Sequence, residues 1–362
     1  MKVAFSLTQC SHTVPGGTAV AALELRDALR ALPDPVDVVA VGARGIGRQP
    51  DSSLPEPSVS FRLPYPALYD LWNRTDRGAL DRLVPDADLA HLTMAFCPQR
   101  RGMPQLSMIH DVFPFSHPDL FTARGVKVMQ AGMTRVLERA DLIVTPSAAS
   151  AERLVEHGGS AEQIRVVPHG ATPRDFTDEE VAVVRERLGL PERFVMFAGT
   201  VEPRKNLDVL LAAMDEIDED VVLALVGPTG WGEINERLNT APSERVRVLG
   251  WQSREDLLAL MSAASAVCMP SFAEGFGLPA LEAMAQGTPV IHSECSALRE
   301  VVGDTGSQVH SADVSGWATE MSAFVLDDDR SVEQGRAASK RAESFSWAQT
   351  ATKMRSVYEE LV

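Results

Sequence analysis

Short apolar runs alternate with helix-patterned segments along this chain, and the alternation begins twice. Residues 2–7 form a strand-like run followed by the turn Pro15-Gly16-Gly17 and an amphipathic stretch over 18–32. Residues 194–198 form a second such run, again followed by a turn and a helical pattern over 207–217. Further runs fall at 36–41, 89–92, 106–109, 142–145 and 164–167 in the first half, and at 221–226, 246–249, 266–269 and 289–292 in the second. Alternation of this kind predicts an α/β protein of parallel sheets covered by helices on both faces. Its 362 residues exceed what one core usually serves, so two doubly wound, Rossmann-like domains facing across a cleft are expected. Proline, glycine and polar residues at 169–178 mark the linker. The expected domains are 1–172 and 173–345, and residues 346–362 have helical spacing at Trp347, Met354, Val357 and Leu361.

In such sheets ligands sit at the carboxyl ends of the strands, so the turns there carry the chemistry. The most informative one reads S-F-A-E-G-F-G-L-P-A-L-E-A-M-A-Q-G over Ser271–Gly287. Gly275 and Gly277 let the backbone bend closely, Pro279 suits a first helical turn, and Gly287 stops the helix. Glu274 then lies in a loop and Glu282 a turn into a helix whose N-terminus favours an anion. A nucleotide sugar offers both an anion and hydroxyl groups; the plain alternative is a strand–loop–helix corner with exposed acids. The second turn is G-T-V-E-P-R-K-N-L, Gly199–Leu207. Gly199 allows a tight exit from the strand and Asn206 is a candidate helix cap. Arg204 and Lys205 suit a diphosphate through a planar fork and a compact charge, or are solvated surface cations.

Other candidates are less specific. Gly16 and Gly17 either present backbone N–H groups to a phosphate or simply turn the chain. The absence of G-x-G-x-x-G there speaks against a nicotinamide oxidoreductase. His110 and Asp111 follow the run 106–109, where a histidine would point into the cleft and donate to a sugar hydroxyl. His117 and Asp119 come shortly after. His169 reads as a linker residue, and Asp86 with Asp88 as a turn rather than a metal site. A basic amphipathic stretch over 124–139 (Arg124, Lys127, Arg135, Arg139) fits a packed helix with a charged face, or contact with an anionic membrane.

The net charge of −16 is uneven: residues 1–170 hold 17 Lys+Arg against 18 Asp+Glu, and residues 171–362 hold 17 against 32. An acidic second half argues against nucleic-acid binding. Cys10, Cys97, Cys268 and Cys295 show neither CxxC spacing nor clustering with histidine, as expected of reduced thiols in a cytoplasmic protein. No run is long enough to span a membrane, and the opening residues are too briefly apolar for a signal peptide. Peripheral contact at the inner membrane face through local arginines stays open.

The chain resembles the retaining glycosyltransferases of family 4, which have the GT-B fold. The resemblance runs nearly end to end. It is carried by Glu274–Gly287, Gly199–Leu207 and H-D-V-F-P-F-S-H-P-D-L-F (His110–Phe121), with T-P-S-A-A-S, V-V-P-H-G and the C-terminal F-S-W…V-Y-E-E in support. It implies that Arg204 and Lys205 neutralise the donor diphosphate, that Glu282 holds the ribose, and that Glu274 and His110 lie beside the transferred sugar. Gly275, Phe276, Gly277, Leu278, Gly199 and Thr200 would line the donor, Gly16 and Gly17 the donor phosphate and acceptor, and Asp111 the acceptor side. The last helix would cross back onto the first domain. Thr200 departs from the pattern, since some relatives carry arginine there. The implied reaction is metal-independent, cofactor-free hexosyl transfer from a nucleoside-diphosphate sugar to a glycan or lipid-linked acceptor. The His110–Phe121 segment looks most like bacterial surface-polysaccharide mannosyltransferases, pointing to GDP-mannose. A GT-B-fold sugar-nucleotide epimerase and a non-catalytic nucleotide-sugar-binding subunit are the alternatives. The site would be complete only when the domains close.

Overall fold

Each half of the chain builds a parallel sheet at the positions where its apolar runs fall. A computed structural model describes residues 1–12, 16–45, 57–75, 77–96, 98, 102–218, 220–240 and 244–362. Pro15 and Cys97, both singled out above, lie outside the described residues. The first unit comprises Met1–Gly170 together with Trp347–Val362, and the second Ala171–Ser346. Ala171 and Thr172 therefore group with the second unit rather than the first.

The first unit holds β1 (Lys2–Ser6), β2 (Asp37–Arg44), β3 (Val59–Pro64), β4 (Leu89–Leu92), β5 (Gln105–Met108), β6 (Leu142–Thr145) and β7 (Ile164–Val166) in the order β3-β2-β1-β4-β5-β6-β7. The second holds β8 (Val195–Ala198), β9 (Leu223–Val226), β10 (Val246–Gly250), β11 (Ala266–Met269), β12 (Val290–His292) and β13 (Ser307–Gln308) in the order β10-β9-β8-β11-β12-β13. All pairings are parallel. The central strands β1, β4, β5, β8, β9 and β11 are almost wholly buried, as continuous apolar runs covered on both faces must be. Strands β3 and β13 escape sequence reading for the opposite reason: β3 is mostly exposed and β13 has two residues.

In both sheets the strand order reverses beside the first strand, between β1 and β4 and between β8 and β11. The loops leaving those strands diverge there and open a crevice at the carboxyl ends. The loops after β8 and β11 are the two motif-bearing turns, so topology alone makes Gly199–Asn206 and Pro270–Gly277 neighbours. The final helix, Trp347–Glu359, packs on the helix Gly17–Arg30 of the first unit. It buries Trp347, Met354 and Tyr358, and the Tyr358 hydroxyl meets His91 Nδ1 at 2.7 Å. Asp86 and Asp88 hold the start of β1: Lys2 Nζ donates to Asp86 at 2.5 Å and the Lys2 backbone N–H donates to Asp88 at 2.7 Å.

Candidate active site

The loop after β8 begins with a backbone crossing. Gly199 has φ +151°, and a Cβ there would lie 3.3 Å from the Phe197 ring. Gly227, after β9, passes so close that its own Cβ would sit 2.0 Å from the Gly199 carbonyl oxygen. The half-buried Thr200 follows, and Pro203–Lys205 then form one 3-10 turn. Asn206 does not cap the next helix, contrary to expectation. It takes a left-handed conformation at φ +53°, and its side-chain amide donates to the carbonyls of Pro270 (3.1 Å) and Ser311 (2.8 Å). Its short polar side chain tolerates that backbone while tying the loop to its neighbours.

The two motif turns join at Arg204, whose carbonyl accepts from the Phe272 N–H at 3.0 Å. The Arg204 guanidinium donates to the Ala273 carbonyl at 2.7 Å, to Glu274 Oε2 at 3.0 Å and to Glu202 Oε1 at 2.5 Å. Lys205 Nζ and Ser271 Oγ each reach Glu274 Oε1 at 2.7 Å. Glu202, Lys205 and Glu274 are all buried. Burial alone would raise the Glu274 pKa, but the Lys205 and Arg204 charges and the bonds from Lys205 and Ser271 outweigh it and hold the carboxyl at about 2. Glu274 is therefore ionised throughout the ordinary pH range. Sequence reading missed Glu202 and Ser271, although both lie within the quoted motifs, because only the folded loops turn them toward Arg204 and Glu274.

Glu282 sits in the helix Leu278–Ala285, 4% exposed, and accepts from Arg254 Nη1 at 2.6 Å. Arg254 opens the helix Arg254–Ala263, where Ser253 caps by accepting from the Asp256 N–H. Nothing in its local sequence marks it as a partner of a glutamate 28 residues away. Gly277 has φ +101°, and a Cβ would meet Leu298 Cδ2 at 2.7 Å, so this turn requires glycine. Phe276 packs edge-on to Phe345, Leu278 is buried, and Gly275 is half-buried.

In the first unit, His110 follows β5. Its Nε2 lies 3.2 Å from the Thr93 carbonyl oxygen, its Nδ1 3.4 Å from His169 Nε2, and its own carbonyl accepts from Ser150 Oγ at 3.1 Å. Burial lowers its pKa to about 4, partly opposed by the Thr93 bond. His169 is thus no mere linker residue: it is buried, sits at the carboxyl end of β7 and shares a bond with His110. Asp111 accepts from the Phe113 N–H at 3.1 Å, just ahead of the short helix Phe113–Ser116. His117 bonds its neighbour Ser116. Gly16 precedes the helix Gly17–Arg30 and accepts from the Ala19 N–H, and a Cβ on it would touch nothing within 4 Å. The basic helix Ala123–Arg139 buries Gly132, Met133 and Val136, while Arg135 donates to the Thr75 carbonyl. Among the described residues, no group of His, Cys, Asp and Glu is arranged to hold a metal ion, and no helix is long and apolar enough to cross a membrane.

Comparison with known proteins agrees with this geometry. A family model described as Glycosyltransferase Family 4 matches residues 15–174, and one described as Glycosyl transferases group 1 matches residues 180–341. The D-inositol 3-phosphate glycosyltransferase of Corynebacterium aurimucosum is 34% identical over 245 residues, covering 62% of this chain and 58% of that protein. The Nocardia farcinica protein of the same name is 36% identical over 241 residues, covering 61% and 53%. The chain thus spans between half and three-fifths of the length of these curated relatives. Among solved structures, Anabaena HepE in complex with UDP and glucose is similar with a TM-score of 0.73 at 18% identity, covering 99% of this chain and 100% of that one. The sucrose-phosphate synthase of Thermosynechococcus elongatus gives 0.78 at 22%, covering 100% and 99%. Each unit is thus covered by its own family model, the first by Glycosyltransferase Family 4 and the second by Glycosyl transferases group 1, and the fold is the two-sheet GT-B fold.

Proposed function

We propose that the chain transfers a hexosyl group from a nucleoside-diphosphate sugar to an acceptor hydroxyl with retention at the anomeric carbon. The observation that carries this reading is the ion cluster of half-buried Arg204 with buried Lys205 and Glu274, with Glu282 on the adjoining helix at the switch point of the second sheet. As the anomeric C–O bond to the diphosphate breaks, negative charge grows on the leaving oxygen, and Lys205 and Arg204 stand ready to stabilise it. The acceptor oxygen forms the new bond on the same face and its proton passes to the departing phosphate. Glu274, held ionised by its three donors, is too weak a base to be the general acid or base; it orients the cations and accepts from sugar hydroxyls. Glu282 anchors the ribose, and Gly275, Phe276, Gly277 and Leu278 line the donor with Gly199 and Thr200. His110, Asp111, Gly16 and Gly17 serve the sugar and acceptor from the first unit.

GDP-mannose and a glycan or lipid-linked acceptor are our first assignment, on the resemblance of the His110–Phe121 segment. HepE's UDP and glucose, and the inositol phosphate in the relatives' names, recommend testing uridine donors and a phosphorylated cyclitol acceptor beside them. Mass spectrometry of a nucleotide-sugar panel, with and without a chelator, identifies the donor and tests metal independence. Lys205→Ala and Glu282→Ala should each lower kcat/KM by roughly 10²–10³-fold, about 3–4 kcal/mol. Unchanged turnover in both sinks the assignment.

A further inference from the structure

The first unit holds His110 more completely than a contact with a sugar alone would require. Its Nε2 faces the Thr93 carbonyl oxygen at 3.2 Å, and a carbonyl oxygen can only accept, so Nε2 must carry a hydrogen. In the neutral ring Nδ1 then carries a lone pair, which the His169 Nε2 3.4 Å away can meet only by donating. The reverse order would set a lone pair on His110 Nε2 against the Thr93 carbonyl oxygen. We propose that His169 is a positioning residue that fixes the Nε2–H tautomer of His110 by donating its own Nε2–H to His110 Nδ1.

The surroundings of His169 fit this task. Its ring is buried and packs at 5.8 Å from the Trp347 ring, while Thr350 Oγ1 donates to the Pro168 carbonyl at 2.8 Å. Both partners belong to the final helix, Trp347–Glu359, so that helix steadies the segment bearing His169. Burial keeps both imidazoles neutral, as the chain of single donors requires. A hydroxyl oxygen arriving beside Thr93 would share the Nε2 hydrogen with that carbonyl or take it over, and a ring fixed in this way presents it without first exchanging protons.

The catalytic consequence rests on the glycosyl-transfer reading, but the tautomer does not. Long-range 1H–15N correlation spectra of the ¹⁵N-histidine-labelled full chain, with His110 assigned through a His110→Gln variant, report the tautomer directly. The native chain should show His110 protonated on Nε2 alone. His169→Gln, whose amide can still donate, should keep that signature; His169→Leu should give a mixture of tautomers. With a donor sugar identified, His169→Leu should lose kcat roughly tenfold at little-changed donor KM, and His169→Gln should recover most of it. A native His110 protonated on Nδ1, or a folded His169→Leu chain with the native signature, overturns the proposal. If His169→Leu does not fold, the native and His169→Gln spectra still decide. If no donor is turned over, the spectra stand while the functional reading falls.

Discussion

Lys205 Nζ and Glu274 Oε1 lie 2.7 Å apart in a buried ion pair that joins positions 69 residues apart in sequence. The pair exists because strands β8 and β11 are neighbours and the loops leaving them cross, with the Phe272 N–H on the Arg204 carbonyl as a backbone stitch. Partner removal and pH should therefore probe the same contact. Desolvation of both groups makes the pair costly to break, whatever its net contribution to stability.

Glu274→Gln tests the pair through pH. The folded carboxyl titrates at about 2 instead of the ordinary 4.5, so its stabilising contribution is complete above about pH 4.5 and is lost as pH falls toward 2. That shift corresponds to about 3 kcal/mol. Denaturant midpoints of the second unit's transition should show the native chain losing stability through this window more steeply than Glu274→Gln. The variant should also be less stable at pH 7 by about 3–5 kcal/mol, because Lys205 stays buried without its carboxylate. Equal slopes for the two proteins would contradict the depressed titration.

Arg254→Ala addresses Glu282. Arg254 Nη1 holds Glu282 Oε1 at 2.6 Å and so fixes the carboxylate proposed to grip the ribose. The ribose does not change as the anomeric bond breaks, so loosening its anchor weakens ground and transition states alike. Steady-state kinetics on the identified donor should show KM raised about tenfold with kcat within about a factor of three. A fall in kcat at constant KM would move Glu282 away from the ribose.

Gly227→Ala and Gly16→Ala separate a glycine the fold needs from one it does not. The Gly227 Cβ would lie 2.0 Å from the Gly199 carbonyl oxygen at φ +145°, so the two loops must part, at roughly 3 kcal/mol or more. Gly16 has open space and an ordinary φ of −92°, and its substitution should cost no more than about 1 kcal/mol. Thermal unfolding of both variants checks the contrast. A Gly16→Ala chain that is stable yet slow in transfer would support its place in the donor loop.

The alternation of apolar runs made the two sheets legible, since strands buried on both faces need continuous apolar sequence. Strand β3 could not be read that way, being mostly exposed along its length. Within the candidate site, the residues of the two motif turns were visible but their partners were not. Arg254 reaches Glu282 from the helix that precedes β11, Asn206 spends its amide on Pro270 and Ser311 rather than on a helix end, and His169 meets His110 only after β7 has paired with β6. Each of these links depends on strand order, which periodicity does not encode.

Tyr358→Phe tests how the final helix is tied to the first unit. The Tyr358 hydroxyl lies 2.7 Å from His91 Nδ1, both residues are fully buried, and His91 Nε2 has no hydrogen-bond partner among the described residues. Removing the hydroxyl strands the second ring nitrogen as well and should destabilise the first unit by about 1–3 kcal/mol. Burial, with a smaller contribution from His110, lowers the His91 pKa from 6.5 to about 3. The folded chain thus resists a proton that the unfolded chain accepts. The stabilising contribution is full above about pH 6.5 and declines by about 1.4 kcal/mol per pH unit as pH falls toward 3. His12 and His110, both lowered to about 4, share the upper part of that window. With His169 lowered as well, acid should weaken the first unit, which holds four such histidines, more steeply from about pH 6.5 than the second, where burial lowers His292, until Glu274 adds its loss to the second below about pH 4.5. Hydrogen exchange on the two units across pH 7 to 4 should show protection lost most steeply in strand β4, which carries His91, and in its neighbour β1. His91→Gln should flatten that decline by one histidine's share, and equally steep loss in both units between pH 6.5 and 4.5 would refute the ordering.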